Sequence, residues 1–207
     1  MKDLFVFTAD ADALAVMRAV LSRPESLGIR PITFDVDRHA GKDSAMVRTG
    51  PQLAGMRKGR YRKAVLIWDF HGSGWENVRS PQESEAQVQA KLDQVTWRDN
   101  SEAVAIVPEL EEWLWHNQAS IHAHLGVSAQ ELDRWVAEYA TSREMRPPDV
   151  KASEPKELLE YVFVQKARRT ISPADFEAMA SRASLVDWKA SPSFRALVAL
   201  LATWFPK

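Results

Sequence analysis

The chain has no cysteine, which excludes disulfides and every thiolate-held metal or redox centre. It has no excess of either charge. Its 27 basic and 28 acidic residues leave a formal charge of −1, so no whole-molecule field draws it to DNA, RNA or an anionic membrane. Long apolar runs are missing as well. The longest, Ala196 to Phe205, is interrupted by Thr203 and falls far short of a bilayer's span. Leu4 to Phe7 is too short for the apolar region of a secretory signal. These absences predict a soluble, cytoplasmic protein with no membrane partner. With 45% hydrophobic and 27% charged residues over 207 positions, disorder is excluded as the main state. The length suits one domain, or one with an appendage.

What is present is a change of pattern along the chain. The first half alternates strand and helix signals. Leu4–Thr8, Pro31–Val36, Ala64–Trp68 and Ala103–Val107 are short apolar or β-branched runs. Between them, Asp12–Leu21, Ser44–Met56 and Glu83–Val95 carry apolar residues at helical spacing. This β-α-β-α-β-α-β order predicts a mostly parallel sheet with helices on its faces, and functional groups gathered where the strands end. From Glu109 the pattern is helical. Val127-Ser128 with Glu131 reads as a staple and capping box, and Ser172-Pro173 and Ser191-Pro192 read as helix starts. Ser142–Lys156, with Pro147, Pro148 and Pro155, reads as a loop. The expected division is an α/β domain over 1–125 and a helical extension over 126–207 packed on it. Five of eight tryptophans, Trp113, Trp115, Trp135, Trp188 and Trp204, lie in the second half. They predict an aromatic core there and a contact face.

Four constellations could carry chemistry. Asp10 and Asp12 follow strand one, where carboxylates can serve as metal ligands; one of them is also expected to cap the next helix. Asp69 and His71 follow strand three, in a loop whose Gly72 and Gly74 allow a sharp turn or a close ligand. Glu109, Glu111 and Glu112 follow strand four. Part of that acidity complements a helix dipole, and on one helix Glu109 and Glu112 would share a face with Glu111 elsewhere. His39, Lys42 and Asp43 follow strand two, with Asp35 and Asp37 on one face of it; Gly41-Lys42 is not a phosphate loop. His116, His122 and His124 do not converge on one helix, so they are read as structural. Asp149-Val-Lys151 and Glu154-Pro-Lys156 imitate the acidic-x-Lys element of nucleases, but fall in the expected proline-rich loop.

Acidic groups after strands one, three and four resemble the Toprim arrangement, the metal-dependent domain of topoisomerases, primases and some defence nucleases. That resemblance implies Mg²⁺ and phosphodiester chemistry. Two positions depart from the pattern: Thr8 stands where its glutamate would fall, and His71 where its second aspartate would. The order of TADAD, His39-x-x-x-Asp43, Asp69-x-x-Gly-x-Gly, PELEEWLW and SPSF…WFP is similar to a family of small bacterial proteins. That family is associated with the methylation-associated, anti-phage defence system. Two readings follow. In one, Asp10, Asp12, Asp69 and Glu109 or Glu111 hold Mg²⁺ for a nuclease or phosphoesterase, with His71 or His39 as general base or phosphate contact. In the other, the chain is an inactive subunit whose partners are other defence proteins. Nucleic acid is a partner that the net charge does not indicate.

Overall fold

The structure is a computed structural model that describes all 207 residues. In chain order the first half runs β1 (Lys2–Thr8), α1 (Ala11–Leu21), α2 (Pro24–Leu27), β2 (Phe34–Arg38), α3 (Lys42–Gly55), β3 (Tyr61–Asp69), α4 (Pro81–Leu92) and β4 (Ser101–Ile106). The helical half follows as α5 (Glu111–Trp115), α6 (Gln118–Leu125), α7 (Ala129–Ser142), α8 (Pro147–Ser153), α9 (Pro155–Glu160), α10 (Pro173–Arg182), α11 (Leu185–Trp188) and α12 (Pro192–Trp204).

The four strands form one parallel sheet in the order β2-β1-β3-β4. This is the expected α/β class, a Rossmann- or Toprim-like sheet with a helical C-terminal part. Thr8 pairs with Arg38 and Ile67, and Asp69 with Ile106. The carboxyl ends of all four strands therefore reach one edge, the edge where such sheets place function.

Strand alternation sorts the core into two layers. Phe5, Phe7, Leu66 and Trp68 face α3 and α4, in a cluster of 16 buried residues. Leu4, Val6, Val65 and Ile67 face α1 and the C-terminal helices, in a cluster of 42. The helical half is thus continuous with the larger core layer. Its tryptophans are mostly interior: Trp113, Trp115, Trp135 and Trp188 are all buried, and Trp204 is half-buried. The expected tryptophan contact face is reduced to that last residue.

The segment expected to be a loop, Ser142–Lys156, is instead largely helical. Pro147 and Pro155 occupy the first turns of α8 and α9. A proline there gives up an N–H that has no intrahelical partner anyway. No helix is long and apolar enough to cross a membrane.

Candidate functional site

β1 delivers Thr8 and Asp10 to the carboxyl edge. Thr8 is fully buried, and its hydroxyl donates to the Asp10 carbonyl at 3.0 Å and the Asp37 carbonyl at 3.3 Å. The residue in the Toprim glutamate's place is therefore a structural link between strand ends. Asp10 caps α1, its Oδ1 accepting from the Ala13 N–H at 2.8 Å. The capping task falls to Asp10, which leaves Asp12 free in the first turn of the helix. Burial and the neighbouring Asp10 push the Asp12 carboxyl up to about 6, against the pull of Lys156 and Lys42.

β3 ends on Asp69, which is buried. Its backbone N–H donates to Asp43 Oδ1 at 2.9 Å, and its own Oδ1 accepts from the Leu110 N–H at 2.9 Å. These two bonds stitch the first turn of α3, the end of β3 and the loop before α5 into one floor. Burial raises the Asp69 carboxyl well above the ordinary range, and Glu111, Asp43, Asp10 and Glu109 raise it further.

After β4 the chain turns through a cis Val107–Pro108 bond, and α5 begins only at Glu111. Glu109 and Glu112 therefore do not share one helix face, and Glu111 turns inward rather than elsewhere. Glu111 is 6% exposed, and its Oε2 is buried with no hydrogen-bond partner. Burial pushes its carboxyl up to about 8, although its own N–H and Lys156 pull the other way. Glu109 is raised by burial, and Lys156 and His71 oppose the rise. Glu112 lies outside the group, paired with His116 at 2.5 Å.

The structure thus brings Asp10, Asp12, Asp69, Glu109 and Glu111 to one edge, and adds Asp43, whose carboxyl burial also raises. All donors are hard oxygens, the type that Mg²⁺, Mn²⁺ and Ca²⁺ prefer. The buried Glu111 Oε2 has no hydrogen-bond partner within the chain; a proton, a cation or an ordered water would satisfy it. In donor chemistry the residues fit a divalent ion. They do not form a ready-made group of three metal-binding side chains, so a cation would have to draw them together in place of protons.

The two histidines are placed differently. His39 is buried; its Nδ1 accepts from the Gly41 N–H at 2.9 Å and its Nε2 bonds Thr49 Oγ1 at 3.0 Å. One ring nitrogen holds the loop before α3 and the other bonds the helix itself, so both are engaged. His71 is exposed, and its backbone N–H ties the β3 loop to the Pro108 carbonyl at 3.1 Å. Gly72 and Gly74 adopt positive φ, and the amides of that loop already hold the Glu76 carboxylate, which lies below the usual range for that reason. His116 and His124 pair with Glu112 and Asp175, as structural histidines do.

Two groups escaped the sequence reading. Asp43 was visible only as part of a polar loop. Lys156 belongs to the discounted Glu154-Pro-Lys156 triplet, and Pro155 in front of it was the signal that a helix starts there. A parallel α/β sheet with an unpaired acidic cluster on its carboxyl edge defines a class of fold and site, not a particular protein. No family model, no curated protein and no solved structure matches the chain.

Proposed function

We propose that the chain is a divalent-metal-dependent phosphoesterase or nuclease whose site is the acidic edge above β1, β3 and β4. The observation that carries this reading is the buried, unpartnered Oε2 of Glu111 beside the buried Asp69. Asp10, Asp12, Asp43, Asp69, Glu109 and Glu111 would hold the ion, with Mg²⁺ as the natural choice. When bound, it would polarise a phosphate and lower the pKa of a bound water. The chain's own part is to supply oxygen ligands on a floor fixed by the Asp43–Asp69–Leu110 bonds and to exclude bulk water from Glu111. His71, exposed beside Glu109, is the histidine with a nitrogen free for a proton or a phosphate oxygen. The sequence resemblance adds the setting, a cytoplasmic role in anti-phage defence beside other proteins of the system.

The test is hydrolysis of bis-p-nitrophenyl phosphate and of oligonucleotides with Mg²⁺ or Mn²⁺. Turnover that Asp69→Asn abolishes supports the reading. The absence of a ready-made ligand set favours the alternative, an inactive interaction subunit. No turnover by the wild type with either cation, together with capture by another protein of the system, would establish that alternative.

A further inference from the structure

The near-zero net charge hides a segregation. The carboxyl edge of the sheet gathers acids, and the amino edge gathers cations. From Arg57 to Lys63 five of seven residues are basic and none is acidic. This segment leaves α3, turns through Gly59 (φ 91°) and enters β3, where Tyr61 pairs in register with Lys2 of β1. Arg98, on the turn before β4, comes up beside it. The Lys58 ammonium lies 4.4 Å from the centre of the Trp97 ring, Lys63 Nζ donates to the Asp99 carbonyl at 3.0 Å, and the Ala64 N–H donates to the Asn100 carbonyl at 2.9 Å. The cations of this edge are of two kinds. Lys2, Arg30 and Arg57 hold Asp35, Asp3 and Asp37. Lys58, Arg60, Arg62 and Arg98 are exposed and pair with no carboxylate. The single exposed acid in their midst is Asp99.

We propose that this amino edge docks the phosphate backbone of a nucleic-acid duplex, through Lys58, Arg60, Arg62 and Arg98. Cations kept exposed and without carboxylates, on turns fixed by strand pairing, present a positive surface whose counterpart is a polyanion. Nucleic acid fits better than an anionic membrane. Three of the four cations are arginine, whose planar fork matches two phosphate oxygens. They stand on turns and a strand start, not on a helix with an apolar face to insert beside them. Backbone phosphates carry no sequence, so the surface reads none. β3 is nine residues long, which sets this edge roughly 25–30 Å from the acidic one. Docking here therefore needs no metal there.

The experiment is fluorescence anisotropy of a labelled DNA duplex with the full chain, in EDTA so that no divalent cation takes part. Contacts to four phosphates predict a slope of log affinity against log salt of about −3.6, and a loss on the order of 100-fold between about 50 and 200 mM salt. Combining Arg60→Ala, Arg62→Ala and Arg98→Ala should remove most of the binding at about 50 mM and leave a slope near about −1, at a melting temperature close to that of the wild type. Arg62→Ala and Arg98→Ala taken singly should each flatten the slope by about one, which keeps the test decisive if the triple variant folds poorly. Asp69→Asn, at the opposite edge, should bind the duplex as the wild type does. The proposal fails if the wild type binds no duplex at about 50 mM salt, or if the substituted chains bind it as well as the wild type. Binding to vesicles that contain phosphatidylserine, with none to the duplex, would overturn it in favour of a membrane surface.

Discussion

The chain treats its acids in two ways. Along β2 and the amino ends of the strands they are satisfied. Lys2 holds Asp35 at 2.6 Å and the Tyr61 hydroxyl donates to it at 2.5 Å; Arg57 holds Asp37 at 3.1 Å, and Arg30 holds Asp3 at 2.8 Å. The hydrogen bonds from Lys2 and Arg30 keep Asp35 and Asp3 below the usual carboxylate range. Above β1, β3 and β4 the pattern reverses. Asp69 and Glu111 are more deeply buried than any of those, no cation contacts them, and both are pushed up. A sequence with 27 basic residues can pair its carboxylates, and does so where the structure needs it. Unpaired carboxylates kept together in a buried place cost stability. Groups of perturbed pKa in such a place are the mark of a binding or reacting site.

The comparison can be broken most forcefully from the helical side. Phe194 on α12 is fully buried and packs edge-on against Trp113 and Trp188, with ring centroids 5.0 and 5.3 Å away. Phe194→Ala should cost about 3–5 kcal/mol, read as a lower urea midpoint. Since that core continues into the sheet, the whole molecule should melt in one transition. Two separate transitions would show that the acidic edge folds without its helical support.

The acidic edge should respond to pH in the opposite sense to an ordinary acid pair. Glu111 has an ordinary value of 4.5 and about 8 in the fold, and Asp12 moves from 3.8 to about 6. Over those windows the folded chain still holds protons that the unfolded chain has released. The stability of the metal-free protein therefore falls as pH rises from about 4.5 to about 8. Asp3 and Asp35 are lowered, so the stability they add is present above about pH 4 and is lost in stronger acid. A maximum at mildly acidic pH is expected from urea midpoints across a pH series. Glu111→Gln should flatten the alkaline side and stabilise the protein at pH 8.5 by on the order of 1–2 kcal/mol. A decline left unchanged by that substitution would locate its cause elsewhere.

The smallest effect sharpens the contrast. Asp37→Asn removes an exposed pair with Arg57 and should destabilise by no more than about 0.5 kcal/mol, a sign opposite to that of Glu111→Gln. A stabilising Asp37→Asn would mean that negative charge in general, and not the unpaired edge, weakens the fold.

Much of the architecture is legible in the sequence, because apolar runs and helical spacing are local signals. The four strands appear within a few residues of their read positions, and the acids after strands one, three and four do reach one edge. What was misread depended on where helices begin. Treating Glu109 as helical turned Glu111 outward on paper; the turn through Pro108 delays α5 until Glu111 and turns it inward. Three prolines made 142–156 look like a loop, although proline is at ease in a first helical turn, and that reading hid Lys156. The tryptophans announced an aromatic layer, but only packing shows that it faces inward.

The central claim is that the unpaired carboxylates await a divalent cation. Its most direct measurement is the melting temperature of the wild type at pH 8 as Mg²⁺ or Mn²⁺ rises to millimolar concentration. A ligand that binds only the folded state must raise it progressively. The account predicts a concentration-dependent rise of several degrees, largely absent in Asp69→Asn, which removes the charge but keeps an oxygen to accept from the Leu110 N–H. A melting curve that neither cation moves, or one moved equally in Asp69→Asn, would contradict it.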